Sequence, residues 1–324
     1  MQKLLFSLSI ITMGLLIGYL LQRLVLSGKI KAEASLAKQR KIIQMVVLLC
    51  LNPIATIGAI WILSFENGRI ALMPAIGILA MITGAFAAFL IGKLIKLKPS
   101  QQGAFISCGA MSNVGSIGAL VVFVFLGEAA FALVAMYKLF EQVMSYTIWF
   151  PVAKSFSPYL QQEATKHKVR KILTDPFVLV TVLSILIGFA LNTLGVSRPA
   201  FYSNLNAVII PLSSLLLLIS IGMAMKFSKI QAYLKPALLA SVIKYLLVPV
   251  VVTGTAFFLG FSKVDNSLPL KVILILSSMP VGFTALVPPS IYDLDVDLAN
   301  AGWMVSTALL ALVIPLQMLI IRYI

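Results

Sequence analysis

The chain has 324 residues, 60% of them hydrophobic and 11% charged, and a mean hydropathy of +1.05, against about 45–50% apolar and 25% charged in soluble domains; this is the composition of a protein that crosses a bilayer repeatedly. A formal charge of +15 would point to nucleic acid in a soluble protein, but the lysines and arginines here lie mostly in short loops between apolar runs, where they set topology, and no nucleic-acid partner is expected. One histidine, His167, and two distant cysteines, Cys50 and Cys108, supply no metal cluster, no disulfide framework, no cofactor site and no catalytic constellation, so an enzyme is not expected.

A helical crossing needs about 20 apolar residues, and ten stretches answer to that. Span 1 covers 4–26, span 2 covers 42–64 with Pro53 inside it, and span 3 covers 70–92. Span 4, at 102–126, is interrupted by Ala110-Met-Ser-Asn-Val-Gly-Ser-Ile-Gly118. Span 5 covers 129–152, and a basic loop from 154 to 174 follows as a cytoplasmic linker. Span 6 is 176–195, span 7 is 205–226 with Pro211, and span 8 is 236–260 with Pro249. Span 9, at 270–292, is interrupted by Ser277-Ser-Met-Pro-Val-Gly282, and span 10 is 298–321 with Pro315. The prolines at 53, 151, 211, 249 and 315 read as simple kinks.

The spans repeat. Met13 to Ser27 aligns without gaps to Leu183 to Ser197, with Gly18 over Gly188 and Ser27 over Ser197. Span 1 is thereby the counterpart of span 6 and is retained, not cleaved as a leader. The breaks in spans 4 and 9 keep the same order, so the chain reads as repeats at 1–153 and 175–324. Five spans is an odd number, so the second repeat is inverted in the membrane, the plan of secondary transporters. Loops after spans 1, 3, 5 and 7 hold most of the 25 Lys and Arg, which puts both termini outside the cytoplasm. The loop between spans 9 and 10 dissents, with Asp293, Asp295 and Asp297 and no basic residue.

The two breaks are the candidate site. In span 4, Ser112 and Asn113 precede Gly115 and Gly118; Asn both donates and accepts, and Gly lets backbone approach closely. In span 9, Pro280 removes a backbone donor, flanked by Ser277, Ser278 and Gly282. Half-helices beginning at the midplane present free N–H groups, which favour an anion such as a carboxylate. Lys138 and Glu141 lie near the middle of span 5, three apart on one helix face, with Gln142 next. They read either as substrate counter-ion (Lys138) and proton-titrating group (Glu141) or as a neutral pair that locks span 5. Lys244 in span 8 is the other deep charge, near enough to one end to snorkel.

The run from Ser277 to Gln317, SSMPVGFTALVPPSIYDLDVDLANAGWMVSTALLALVIPLQ, resembles the C-terminal signature of the auxin efflux carrier family, whose members include plant auxin carriers and bacterial malate or malonate permeases. Pro280 and Asn113 match the proline and asparagine of that family's two breaks. In place of the family's frequent Gly-hydrophobic-Pro, this chain has Gly118-Ala119. The resemblance implies an all-α fold of ten helices, helices 4 and 9 crossing, an anion held at the crossing, and an elevator movement of spans 3–5 and 8–10 against a scaffold of spans 1, 2, 6 and 7. It also implies a homodimer through the scaffold. Malate- or malonate-like dicarboxylates are the substrates it suggests. The alternative is a sodium-coupled organic-anion symporter of the related bile acid type, which places an acid in its ninth-helix break; the break here has none. A multi-pass protein of the cell membrane, driven by protons through Glu141, is the expectation.

Overall fold

The computed structural model describes residues 2–28, 35–63, 68–157, 176–225, 227 and 229–324. The expected linker falls outside the described residues from 158 to 174, His167 with it.

Apolar runs this long leave the backbone no water to bond, so helix is the default, and the described residues are helical nearly throughout. α1 is Gln2–Leu26, α2 Leu36–Trp61, α3 Gly68–Leu94, α4 Pro99–Ala110, α5 Val114–Leu126 and α6 Glu128–Tyr137. α7 covers 141–154, α8 is Pro176–Thr193, α9 Phe201–Gly222, α10 Gln231–Phe258, α11 Leu268–Ser277, α12 covers 283–291 and α13 is Val296–Ile320. Six of these, α1, α2, α3, α9, α10 and α13, are long and apolar enough to cross a membrane. Helix starts follow the sequence. Proline stands at the first position of α4 and α8 and the second of α11, where no N–H is missed. Ser35 caps α2 by accepting from Lys38 N at 3.3 Å, and Asp295 caps α13 by accepting from Leu298 N at 2.9 Å.

The prolines divide into two kinds. Pro53, Pro151 and Pro249 each follow a five-residue π-helical turn, Val47–Leu51, Ser145–Trp149 and Ile243–Leu247. The wider turn accommodates a ring that would strike the carbonyl four residues back. Pro211 and Pro315 sit inside uninterrupted α9 and α13.

The chain forms two compact units, made of the described residues within Met1–Glu66, Gly115–Ala135 and Pro176–Met225, and within Asn67–Val114, Met136–Asp175 and Lys226–Ile324. In the first, α1 packs on α9 and α8 packs on α2. Gly18 and Gly222 bring α1 and α9 together: a Cβ on Gly18 would lie 2.8 Å from Gly222 Cα, and one on Gly222 3.0 Å from Gly18 Cα. Gly188, which aligns with Gly18 in the sequence, meets Ile60 on α2. This unit also holds a partly buried polar cluster. Glu128, first residue of α6, takes both guanidinium nitrogens of Arg198, and Asn206 Nδ2 donates to its Oε1 at 2.6 Å. Arg198 also donates to the Gly58 carbonyl at 2.9 Å and to Ser203 Oγ at 2.6 Å.

In the second unit α3 packs on α4, α10 on α13 and α11, and α13 on α4. The acidic stretch before α13 has a structural use. Besides the cap, Asp295 accepts from the Tyr233 hydroxyl at 2.7 Å, and Asp297 pairs with Lys229 at 2.7 Å. The hydrogen bond to Asp297, and then its charge, hold the exposed Lys229 ammonium above the ordinary lysine pKa.

Candidate functional site at the paired helix breaks

The site lies in the second unit, where two helices stop inside the fold and cross. α4 ends at Ala110, and Met111 turns extended at φ −101°, ψ 129°. α11 ends at Ser277, and Gly282 is extended at φ −71°, ψ 147°. Ser112 and Val281 then pair as a single antiparallel bridge. Asn113 N donates to the Pro280 carbonyl at 2.9 Å, and Gly282 N donates to the Met111 carbonyl at 3.0 Å. Each break thus supplies the backbone partners the other has lost, which a water-free interior requires.

The residue types fit these roles. Pro280 has no N–H to satisfy, and its carbonyl does the bonding. Gly282 is set by proximity: a Cβ there would sit 2.8 Å from the Ser112 carbonyl oxygen. Val281 N donates to Ser306 Oγ on α13 at 3.1 Å. Gly282→Val is therefore expected to push the two breaks apart and lower the thermal midpoint in detergent, while Gly254→Val, where a Cβ meets nothing within 4 Å, leaves it unchanged.

Lys244 is fully buried in the middle of α10 and does not snorkel. Its Nζ donates to the Gly109 carbonyl at 2.5 Å and to Ser112 Oγ at 2.9 Å. The Lys244 nitrogen thus sits at the C-terminal end of α4, the negative end of the helix dipole. Gly109 can lie this deep because it faces Gly84 of α3, where any side chain would strike the Gly109 carbonyl.

Beside the crossing is a small cavity of about 20 Å³, lined by Gly77, Ala80, Met81, Ala110, Ser112, Val114, Tyr137, Lys138 and Glu141. Lys138 and Glu141 do not form the helical pair their spacing suggests. Residues 138–140 are a turn between α6 and α7, with Glu141 N donating to the Lys138 carbonyl at 2.9 Å. No ion pair within 4.0 Å joins the two side chains; both line the cavity instead.

The structure therefore brings Ser112, Lys138 and Glu141 together on one cavity and places Asn113, Pro280 and Gly282 in the crossing beside it. Ser277 and Ser278 turn back on their own helix: both hydroxyls donate to the Leu274 carbonyl, at 3.3 and 2.5 Å. That is a helix-ending role. Gln142 is exposed, and Gly115 begins the segment that clusters with the first unit. Sequence reasoning missed two residues. Gln317 on α13 donates to Ser278 Oγ at 2.6 Å. Tyr137 lines the cavity, and its buried hydroxyl has no hydrogen-bond partner among the described residues; an aromatic in an apolar run carries no signal that separates it from core.

Polar residues Ser112, Tyr137, Lys138 and Glu141 thus share one small cavity, and Lys244 bonds Ser112 beside it. An uncharacterized transporter from Methanocaldococcus jannaschii is 25% identical over 252 residues, 75% of this chain and 77% of that protein. The family model described as "Membrane transport protein" matches residues 30–318. A match over most of the chain settles the affiliation: the protein belongs to this membrane transport family, that of the auxin efflux carriers.

Proposed function

We propose that the protein is a secondary active transporter of a small organic anion, held in the cavity beside the paired breaks. The observation that carries this reading is the pair of interrupted helices with an ammonium, Lys138, that is in no ion pair among the described residues and lines a cavity next to them. Lys138 holds the carboxylate, and the hydroxyls of Ser112 and Tyr137 donate to it. Glu141, on the same wall, is the proton-linked group. A malate- or malonate-like dicarboxylate, the class the family resemblance suggests, is the first substrate to test.

Ten spans in two inverted repeats make up the fold in this reading. It is supported by the way packing partners exchange: α1 on α9 is the repeat image of α8 on α2. The helices of spans 3–5 and 8–10 move as an elevator against spans 1, 2, 6 and 7. Both termini face away from the cytoplasm at the cell membrane, and the scaffold pairs two copies.

The test is uptake of radiolabelled malate into proteoliposomes under an imposed proton gradient, with a sodium gradient as the comparison. Lys138→Ala is expected to raise KM at least about tenfold, the worth of one charged hydrogen bond. Asn113→Ala is expected to abolish uptake. Glu141→Gln is expected to leave uptake indifferent to the proton gradient. Gradient dependence that survives Glu141→Gln would remove Glu141 from coupling; uptake driven by sodium alone would move the protein to the bile acid type.

A further inference from the structure

We infer that the Lys244 ammonium is a resident cation: it fills, with the chain's own side chain, a monovalent-cation site at the broken end of α4, so the crossing requires no sodium. The inference rests on the geometry of one nitrogen. Lys244 Nζ lies 2.5 Å from a main-chain carbonyl, Gly109, and 2.9 Å from a hydroxyl, Ser112. Carbonyl and hydroxyl oxygens at the end of an unwound helix are the ligands half-helices offer to alkali cations in membrane carriers. Here both converge on an ammonium.

The burial is complete, at 0% exposure, and none of the described ion pairs includes Lys244. An isolated ammonium in such a place is costly. What offsets that cost is the end of α4, whose last turn carries carbonyls without intrahelical donors and the negative end of its dipole. The need is mutual. Ser112 lies in the extended link, its neighbours Met111 and Asn113 bonded across to the other break, and the Gly109 carbonyl faces away from solvent against Gly84 and Lys244. With the ammonium removed, Gly109 O and Ser112 Oγ would face the space it leaves. That space is a cation site.

The consequence for coupling rests on the transport reading above; the site itself does not, and is tested without transport. The thermal midpoint of the purified full chain in detergent is measured in choline chloride, sodium chloride and methylammonium chloride at equal ionic strength. The wild type is expected to show one midpoint in all three. Lys244→Ala is expected to melt lower by roughly 5–10 °C in choline and to recover at least half of that loss, saturably, with sodium or methylammonium. Lys244→Met fills the void without charge; it is expected to melt lower than wild type in every salt and to respond to none.

A wild type stabilised by sodium over choline overturns the inference, because the site would then still want an external cation. A Lys244→Ala protein blind to small cations, or a Lys244→Met protein as stable as wild type, overturns it as well. Should neither variant yield folded protein, the wild-type sodium series decides alone. In proteoliposomes the same site predicts uptake unchanged when sodium is replaced by choline. Absence of any uptake would count against the transport reading and leave the cation result standing.

Discussion

Gly222→Leu is expected to abolish the folded protein. α1 and α9 approach until Gly18 and Gly222 touch backbone to backbone; a single Cβ at 222 would already lie 3.0 Å from Gly18 Cα and closer still to the Leu15 carbonyl. In lipid no hydrophobic force draws helices together, and small residues at the contact are what make the packing close. Leucine adds three more carbons, and no rotamer avoids a backbone that cannot move without parting the helices. Fluorescence-detected size-exclusion chromatography is the readout, with loss of the monodisperse peak the expected result. Gly222→Ala is expected to keep a reduced peak. Gly254→Leu, at a position where a Cβ meets nothing within 4 Å, is expected to elute as wild type. A normal peak for Gly222→Leu would mean that α1 and α9 do not pack as described.

Arg198→Ala carries the second large effect, a loss of about 3–5 kcal/mol, the usual cost of stranding one partner of a buried pair. The side chains of Arg198 and Glu128 are only 10% and 14% exposed, so water does not screen them as it screens a surface pair. Removing the guanidinium leaves the Glu128 carboxylate facing Asn206 alone and strips the Gly58 carbonyl of its donor. The double replacement Glu128→Gln with Arg198→Gln is expected to cost less than Arg198→Ala, because no charge is left behind. Thermal midpoints in detergent measure both. A loss under about 1 kcal/mol for Arg198→Ala would place the pair with screened surface bridges instead.

How far these sites could be read beforehand depended on whether they left a mark on side-chain type. The breaks did. Ser112-Asn113 and Ser277-Ser278-Met279-Pro280 are out of place in apolar runs, and the helices stop there. Their mutual contact left none, because Met111 and Gly282 meet through backbone atoms that every residue has. Lys244 was visible as a charge, yet its place in its span suggested escape to the surface. Its fate was decided by two oxygens more than 130 residues away in sequence, at Gly109 and Ser112. Spacing misled at Lys138 and Glu141, since i and i+3 share a face only if the helix continues, and it turns at 138–140. Glu128 and Arg198 lie 70 residues apart in sequence, and only the folded unit brings them together.

The tie between Lys244 and the end of α4 also bears on how the protein is made. An ammonium at the centre of a span costs about 2.5–3.5 kcal/mol to insert by itself. Gly109 and Ser112 leave the ribosome 135 and 132 residues ahead of Lys244, so both acceptors are already in the bilayer when α10 arrives. The order of synthesis spares Lys244 a wait in lipid. A circularly permuted chain beginning at α8 would reverse that order and deliver the charge before its partners, with α10 held at the insertion machinery until α4 emerged.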